Sequence, residues 1–284
     1  MTLLVFGQTG QVARALAGAA GDRSLLSLGR TEADLTNPDN CAAQILHHRP
    51  HAVINAAAYT AVDRAEEEEA LAHQINAAAP GAMARACADL DIPFLHVSTD
   101  YVFAGDGQGA WPPDAPLAPQ NAYGRSKLAG EEAVRAAGGQ HAILRTAWVF
   151  SADGANFVKT MLRLSETRDA LSIVGDQRGG PTPARGIAEA LLTMADTLAD
   201  DRTLSGTWHY AGQPTTTWAR FARETFALAD RKVTVTDIKT QDYPTPAKRP
   251  LNSELDCTTL TRDFGIAPPD WRVDLAHVVK EILP

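Results

Sequence analysis

The sequence predicts an α/β protein, with a doubly wound, Rossmann-like parallel sheet joined to a smaller α/β lobe. Short apolar runs alternate with helix-forming segments in the first half of the chain, and a glycine-containing turn follows the first run. Apolar residues make up 45% of the chain and charged residues 21%, an ordinary folded composition. A chain of 284 residues allows one large domain or two packed ones. We place a first unit at residues 1–150 and a smaller, interleaved lobe at residues 151–284.

The first unit alternates strands with helices from its beginning. Strands are predicted at the short apolar runs 3–6, 24–28, 52–55, 93–98 and 141–145. Helices are predicted at the alanine- and leucine-rich segments 12–20, 38–48, 70–90 and 122–137. Because the strands are apolar on both faces, they suit a parallel sheet that is covered on both sides.

Beyond residue 150 the predicted elements are shorter. We predict helices at 157–164, 183–198 and near 275–282, strands at 171–174 and 233–238, and further elements around 207–210 and 218–229. The segment 104–120 is rich in glycine, proline and aspartate, which predicts no regular element. Because it follows a central strand, this segment is either a lid over a ligand site or a solvent-exposed connection.

Charge and cysteine content narrow the class of protein. Lys and Arg number 26 and Asp and Glu 34, and the net charge of −8 disfavours nucleic acid and anionic membranes as partners. The three cysteines have no CxxC spacing, so we expect neither a disulfide framework nor a metal site. The sequence has no basic leader and no apolar run of about 18 residues, which predicts a cytoplasmic protein.

The turn after the first strand has GxxGxxA spacing. Glycine lets the backbone approach a pyrophosphate, and the N-terminus of the following helix offers it unpaired N–H groups. The alternative is an ordinary strand-to-helix turn, because a single glycine motif is weak evidence. The predicted dinucleotide-binding residues are Gly7, Gln8, Thr9, Gly10, Gln11 and Val12.

The end of the second strand indicates which dinucleotide is bound. An acidic residue is expected there in NAD-binding proteins, but this strand ends in Leu28, Gly29 and Arg30 without a carboxylate. A guanidinium suits a 2′-phosphate, so we predict NADPH, with NADH as the alternative. Arg30 could equally be a free surface charge. Asp34 and Leu35 are candidates to meet the adenine or its ribose.

Tyr123 and Lys127 have YxxxK spacing in a predicted helix, which puts both side chains on one face. An ammonium near a phenol lowers the pKa of the phenol, as a general acid or base needs. Thr99 ends the preceding predicted strand, where its hydroxyl can bond the carbonyl oxygen that the tyrosine protonates. We therefore predict Thr99, Tyr123 and Lys127 as catalytic residues.

At this point the chain resembles the extended short-chain dehydrogenase/reductase superfamily, and within it the family of dTDP-4-dehydrorhamnose reductases. The resemblance covers essentially the whole chain. It rests on FGQTGQV at 6–12, DLTNP at 34–38, NAAAYTAVD at 55–63, STDYVF at 98–103, YGRSK at 123–127, RTAW at 145–148, NFV at 156–158, DQRGGPT at 176–182, RPLNS at 249–253 and DWR at 270–272.

The resemblance implies reduction of the C4 ketone of dTDP-4-dehydro-β-L-rhamnose by a reduced nicotinamide, the last step of dTDP-L-rhamnose synthesis. It implies that residues 8–12 hold the cofactor pyrophosphate and that Lys127 holds the nicotinamide ribose. Further implied roles are the cofactor side for Ala58, Tyr59 and Thr60, the sugar for Thr99, Asp100 and Trp148, and the dTDP portion for Asn156, Arg249 and Asn252. The smaller lobe would then be the substrate-binding lobe.

The sequence departs from the family in one respect. Some members dimerise through magnesium held by glutamates, one of them in the first helix. Here that helix carries Arg14 and Ala15, although Glu189 matches another ligand position. We therefore expect no magnesium bridge, and a monomer or weak homodimer.

Three alternatives to this function or its details stay open. A dehydratase or epimerase of the same superfamily would need an Asp-Glu pair after the strand-end threonine, whereas Asp100 is followed by Tyr101. A catalytically silent binding module would have no need for the tuned tyrosine. Lys248 and Arg249 are either ligands of a substrate diphosphate or surface charges between prolines.

Overall fold

The computed structural model describes residues 2–283. The strands are β1 (Thr2–Phe6), β2 (Ser24–Leu28), β3 (Ala52–Asn55), β4 (Phe94–Thr99), β5 (His141–Thr146), β6 (Val149–Phe150), β7 (Ala170–Val174), β8 (Arg178–Gly179), β9 (Thr182–Pro183), β10 (Gly206–His209), β11 (Thr216–Thr217), β12 (Thr234–Ile238) and β13 (Asn252–Ser253). The α-helices are α1 (Gln11–Ala19), α2 (Pro38–His48), α3 (Glu69–His73), α4 (Ala79–Asp89), α5 (Ala122–Ala136), α6 (Phe157–Ser165), α7 (Ala184–Asp200), α8 (Trp218–Leu228), α9 (Thr258–Phe264) and α10 (Trp271–Ile282).

Six parallel strands form the central sheet in the order β10-β5-β4-β3-β1-β2. Strand β2 lies on one side of β1. The chain then crosses to the other side of β1, where β3, β4, β5 and β10 follow in order. Such a reversal opens a crevice at the carboxyl ends of the strands, where ligands of open α/β sheets bind. The predicted fold class is confirmed.

Helices cover both faces of this sheet because its strands are apolar on both sides. Leu3 and Val5 of β1 share a core with α1 and α7, whereas Leu4 and Phe6 share one with α2, α4 and α5. The alternation along one strand thus supplies both layers of the core.

Three small sheets lie outside the central one. Strand β7 pairs in parallel with β12, β6 pairs with β9, and β8 lies between β11 and β13. Beside them α6, α8 and α10 pack around an aromatic core that includes Phe150, Phe221 and Trp271. The chain returns to the central sheet at α7 and β10. We keep the division at residue 150, with an interleaved second lobe, as a proposal.

The segment predicted as one helix at 70–90 contains a π-turn at Gln74–Ala78, between α3 and α4. Pro80 has no N–H, and in a regular α-helix its ring would press on the carbonyl of Asn76. In the wider turn the Ala79 N–H bonds to the Gln74 carbonyl instead. Pro80 thus accounts for the departure from a single regular helix.

The segment 104–120 is fastened to the chain around β13. Trp111 N–H donates to the Glu254 carbonyl at 2.9 Å, and its indole stacks on Phe103 with ring centres 5.1 Å apart. The Gly105 carbonyl accepts from Asn252 N–H at 2.9 Å. These contacts fit an anchored connection better than a freely moving lid.

Other departures from the predicted elements are short. The two-residue strands and the seven-residue helix α9 were not predicted, because such elements are too short to show a periodic pattern. Among residues 2–283, no helix combines the length and the apolar character that crossing a membrane requires.

Candidate active site

A cleft of about 820 Å³ opens at the carboxyl ends of the central strands. It brings together residues that lie far apart in the sequence. Of the predicted site residues, those lining it are Gly7, Gln8, Thr9, Gly10, Gln11, Val12, Arg30, Asp34, Leu35, Ala58, Thr60, Thr99, Asp100, Tyr123, Lys127 and Trp148. The predicted residues Tyr59, Asn156, Arg249 and Asn252 lie outside this lining.

The glycine turn has the geometry of an anion cradle. Gly7 has a φ of +119°, a conformation that side chains rarely tolerate, and an added Cβ would lie 3.3 Å from the Ala13 Cβ. Gly10 caps α1 in an extended conformation with no side-chain hydrogen bond, and the first turn of α1 has no acidic residue. The first N–H groups of α1 can therefore receive a pyrophosphate, so the turn fits a dinucleotide.

The end of β2 carries both a guanidinium and carboxylates. The Arg30 side chain is 82% exposed and its Nε lies 3.1 Å from Asp34 Oδ2. The Thr36 N–H, then the Arg30 guanidinium, lower the pKa of the Asp34 carboxyl. The expectation of no carboxylate here was wrong, because Glu32 Oε2 turns back to accept the Gly29 N–H at 3.0 Å. Glu32 lies four residues beyond the last residue of β2, so its position in the sequence does not reveal this contact.

Strand β4 delivers two adjacent polar groups into the cleft. Thr99 Oγ1 donates to Asp100 Oδ1 at 3.0 Å and accepts the Tyr101 N–H at 3.3 Å. The buried Asp100 Oδ2 has no hydrogen-bond partner of good geometry among the described residues. Burial raises the pKa of the Asp100 carboxyl to about 6. Asp100 lines the cleft, but its Oδ2 is itself buried, and the nearby Ser253 hydroxyl opposes the rise in the pKa of this carboxyl.

The Asp100 carboxyl makes stability depend on pH. Its pKa is about 6 in the fold against 3.8 in the unfolded chain, so its contribution is present below pH 3.8 and lost as pH rises through 6. We expect Asp100→Asn to raise the free energy of unfolding by about 2 to 3 kcal/mol at pH 7.5, with the gain vanishing near pH 4. Urea unfolding across pH measures it. The exposed Asp106→Asn is the matched control, and a gain for Asp100→Asn that is the same at every pH would contradict the assignment.

Helix α5 begins at a well-defined N-terminus. Asn121 Oδ1 accepts the Gly124 N–H at 2.8 Å, and Glu66 Oε1 accepts the Ala122 N–H at 2.8 Å. Sequence reasoning did not predict this role of Glu66, because only the fold brings its carboxylate to the start of α5. The cap fixes the orientation of Tyr123 in the first turn of α5.

The asparagine in the π-turn ties the cofactor side of the cleft to α5. Asn76 Oδ1 accepts the Tyr59 N–H at 2.8 Å, and its Nδ2 donates to the Tyr59 carbonyl and to Ser126 Oγ. Ser126 Oγ in turn donates to the Tyr123 carbonyl at 2.8 Å. The turn at Ala58–Thr60 is thereby positioned against the helix that carries Tyr123 and Lys127. Sequence reasoning missed Asn76, because only the fold brings it to Tyr59.

The protonation of Tyr123 differs from the sequence-based expectation. Burial raises the pKa of the Tyr123 phenol, with the neighbouring Thr99 hydroxyl opposing the rise and Asp100 adding to it. The predicted lowering by Lys127 was wrong for this arrangement. Lys127 Nζ instead donates to the Val97 carbonyl at 2.8 Å and contacts His96. Tyr123 is therefore a phenol at neutral pH, the form that can donate a proton.

A buried row of polar groups lies behind Lys127. Lys127 Nζ is 3.1 Å from His96 Nε2, and His96 Nδ1 is 3.2 Å from Asn55 Nδ2. Burial, then the neighbouring Lys127, lowers the pKa of His96 well below its usual range. Burial also lowers the pKa of Lys127 to about 8, with Glu131 opposing. Sequence reasoning missed His96 and Asn55, although polar residues inside apolar strands were a usable signal.

One turn further along α5, Glu131 holds a second buried network. Its carboxylate accepts two hydrogen bonds from Arg145, at 2.8 and 2.6 Å, and one from Ser98 Oγ at 2.6 Å. Burial alone would raise the pKa of the Glu131 carboxyl, but these hydrogen bonds bring it below the usual value. Arg135 adds a further contact at 2.6 Å. The network fixes α5 to β4 and β5 beneath the cleft.

Comparison with known proteins identifies the family. The family model of the RmlD substrate binding domain matches residues 1–283. A dTDP-4-dehydrorhamnose reductase of Sinorhizobium fredii is 43% identical, with 100% of this chain and 98% of that protein covered. The chain belongs to the dTDP-4-dehydrorhamnose reductase family. The family predicted from the motifs is thus confirmed.

Two solved structures of the same family have the same fold. The dTDP-4-dehydrorhamnose reductase of Clostridium acetobutylicum is 34% identical with a TM-score of 0.94, and 100% of each chain is covered. That of Bacillus anthracis, solved in complex with NADP, is 32% identical with a TM-score of 0.91 over 99% of each chain. The dinucleotide predicted for this chain agrees with the cofactor of that reductase.

The family's expected sugar-side residue, Trp148, is held rigidly. It has a φ of +51°, and its ring stacks on Trp218 with centres 3.6 Å apart. Gly179 permits this packing, because an added Cβ there would lie 2.7 Å from the Trp148 ring. Trp148 therefore presents a fixed apolar surface to the cleft.

The polar residues assigned to the dTDP portion have protein partners. Asn156 caps α6 by accepting the Lys159 N–H at 3.1 Å, and it donates to Gln11 Oε1 at 3.0 Å. Asn252 Nδ2 donates to the Gly109 carbonyl at 2.8 Å, inside the anchor of segment 104–120. Their side chains act structurally here, and their ligand roles stay predictions.

The two basic residues near β13 are also engaged. Arg249 Nη2 pairs with Asp63 Oδ2 at 2.7 Å, and Lys248 Nζ donates to Gln120 Oε1 at 3.0 Å. Tyr59, assigned to the cofactor side, donates its hydroxyl to Glu68 Oε2 at 2.5 Å. The contacts of these three residues neither require nor exclude a ligand.

The positions associated with magnesium in some family members are occupied by ion pairs. Arg14 lies 3.4 Å from Asp153, and Glu189 lies 2.8 Å from Arg185. Among residues 2–283, no cluster of three or more His, Cys, Asp or Glu side chains is arranged to hold a metal ion.

Packing of α5 against the π-turn depends on Gly130. A Cβ added to Gly130 would lie 2.0 Å from the Asn76 carbonyl oxygen, a backbone atom that cannot move aside. We expect Gly130→Ala to lower the free energy of unfolding by about 3 kcal/mol, measured by urea denaturation. The matched control is Gly18→Ala in α1, where an added Cβ meets nothing within 4 Å. Equal stability of both variants would refute the close contact.

Proposed function

We propose that this chain reduces the C4 ketone of dTDP-4-dehydro-β-L-rhamnose to dTDP-L-rhamnose with NADPH. The observation that carries the proposal is the protonated phenol of Tyr123 beside Thr99, in a cleft that begins at the glycine turn. The names of the curated relatives agree with this reaction class. The predicted oxidoreductase class follows from the same family.

NADPH would lie along the cleft from β2 to β4. The N–H groups at the start of α1 would hold the pyrophosphate, Arg30 would face the 2′-phosphate, and Ala58 and Thr60 would line the cofactor side. When bound, the reduced nicotinamide supplies the hydride for C4. Lys127 keeps one N–H beyond its contacts with Val97 and His96, and it would offer that hydrogen to a ribose hydroxyl.

Tyr123 supplies the proton that the reaction consumes. As C4 is reduced, negative charge develops on its oxygen, and the Tyr123 hydroxyl transfers its proton there. Thr99 is a poorer donor, because its hydrogen is already directed to Asp100 Oδ1. Thr99 lies beside Tyr123 in the lining of the cleft. Catalytic power therefore rests mainly on Tyr123.

The substrate would enter from the side of the second lobe. Trp148 offers a flat apolar face to the deoxysugar, and Asp100 lines the same cleft. Arg249 would contact the diphosphate with the guanidinium hydrogens that Asp63 does not use, with Asn156 and Asn252 lining the dTDP portion. We further propose a cytoplasmic enzyme that is a monomer or weak homodimer.

The deciding experiment supplies dTDP-4-dehydro-β-L-rhamnose and NADPH to the purified protein. We expect one NADPH oxidised per sugar, and dTDP-L-rhamnose as the product identified by NMR. A different epimer would overturn the proposed product. Conversion without net NADPH consumption would indicate an epimerase or dehydratase, and no turnover together with tight co-purification of another protein would indicate a binding module.

Arg30 provides a test of the cofactor preference. Because its side chain is exposed, its hydrogen bonds to a 2′-phosphate are screened, and we expect Arg30→Ala to lower the ratio of kcat/KM for NADPH over NADH by about 10-fold. Steady-state kinetics with both cofactors measures this ratio. Arg14→Ala, which removes a similarly exposed arginine paired with Asp153, is the control. An unchanged ratio in Arg30→Ala would remove Arg30 from the cofactor site.

A further inference from the structure

Three buried polar side chains form a row from β3 through β4 to α5. Asn55 and His96 are fully buried and Lys127 is 2% exposed. The contacts along the row are 3.2 Å from Asn55 Nδ2 to His96 Nδ1 and 3.1 Å from His96 Nε2 to Lys127 Nζ. The row ends at the cleft, because Lys127 is one of its lining residues.

The direction of each hydrogen bond follows from the Ala57 N–H. This group can only donate, and it lies 3.1 Å from Asn55 Oδ1, so the amide oxygen faces Ala57 and the NH2 group faces His96. His96 Nδ1 must then accept, which places the ring hydrogen on Nε2. That hydrogen points at Lys127 Nζ, and only an uncharged amine has a lone pair to accept it.

The ammonium form of Lys127 conflicts with this arrangement. An ammonium would donate to His96 Nε2, and the ring hydrogen would then sit on Nδ1 and face the Asn55 NH2 group. If the amide turned over, its NH2 group would face the Ala57 N–H instead. In either case two buried donors face each other, which disfavours the charged lysine.

We propose that His96 is a positioning residue which, with its tautomer set by Asn55, disfavours the ammonium form of Lys127 and so sets the pH at which this lysine gains its proton. His96 reaches the cleft only through Lys127. The row thus controls the charge beside the catalytic tyrosine without touching a ligand.

Other titratable and charged groups surround Lys127. From β4 and the turn after it come His96 and Asp100, from α5 come Tyr123 and Glu131, and from β5 comes Arg145 through its pairing with Glu131. The Glu131 carboxylate favours the ammonium form of Lys127. Arg145 and Arg135 pair with the same carboxylate, and their positive charges offset its effect on Lys127. Burial works in the same direction as the row and brings the pKa of Lys127 to about 8. The change of charge therefore falls close to neutral pH.

The test follows Lys127 directly by NMR of protein labelled with 13C-lysine. Lys127 is the one buried lysine among six, and Lys127→Arg assigns its signal. We expect the parent to titrate near pH 8. In Asn55→Asp, a carboxylate accepts from both Ala57 N–H and His96 Nδ1–H, so the midpoint should rise by about one pH unit or more. In His96→Gln the glutamine amide oxygen can accept a hydrogen bond from the Lys127 ammonium, so the midpoint of the Lys127 titration should rise as well.

The control is Asn40→Asp in α2, which adds the same charge outside the row and should leave the midpoint unchanged. Unchanged midpoints in both Asn55→Asp and His96→Gln would overturn the proposal. If Asn55→Asp does not fold, the proposal is tested by the Lys127 midpoint in His96→Gln and by the tautomer of His96 in the parent. In 15N-histidine spectra of the parent above pH 8, with His96 assigned by its loss in His96→Gln, hydrogen on Nε2 supports the proposal and hydrogen on Nδ1 overturns it.

Discussion

Replacing Tyr123 with phenylalanine should lower kcat by about 10²- to 10⁴-fold, while binding of cofactor and substrate should be retained. The substitution removes only the phenol oxygen. The ring remains, including its edge-to-face contact with Tyr101 at 5.4 Å between ring centres. Because the proton transfer belongs to the transition state, KM should change much less than kcat. Steady-state and single-turnover kinetics with the keto sugar measure the effect.

A matched control for this variant is Tyr210→Phe. Tyr210 is another buried tyrosine, but it packs in the core between the central sheet and α7, outside the cleft. We expect its kcat to match that of the parent. If Tyr123→Phe kept kcat within a few-fold of the parent, another group would have to be the acid.

Replacing Arg145 with leucine should produce the largest loss of stability, about 3 to 5 kcal/mol. Glu131 is fully buried and receives two hydrogen bonds from this guanidinium, which is itself 1% exposed. Removing Arg145 leaves the carboxylate with too few donors inside the protein, and it also frees the Pro113 carbonyl that Arg145 binds at 2.9 Å. Urea unfolding at pH 7 measures the loss.

The neighbouring arginine on the same carboxylate is the control. Arg135 also contacts Glu131 Oε2, but its side chain is 36% exposed. Arg135→Leu should cost about 1 kcal/mol or less, because an exposed partner is already solvated and screened. A similar loss in both variants would mean that burial of the pair does not determine its importance.

Much of the architecture and the site could be predicted from local patterns. The strand, turn and helix at residues 2–19 are encoded within one continuous segment, and the YxxxK spacing places Tyr123 and Lys127 on one helix face. Patterns that short survive without knowledge of the fold. The two-residue strands and the π-turn at Gln74–Ala78 have no such pattern. The link between Pro80 and the π-turn becomes visible only in the structure, where the Ala79 N–H bonds to the Gln74 carbonyl.

The amino-acid sequence alone determined the fold class and the family, and it predicted the dinucleotide-binding turn and the proton donor, because each follows from residues close together along the chain. The tertiary structure decided the protonation of these residues. Burial raises the pKa of Tyr123 further above neutral pH, and Lys127 meets His96, which in turn meets Asn55, on strands far from α5 in the sequence. Desolvation and hydrogen-bond direction depend on such distant neighbours, so no local pattern could reveal them.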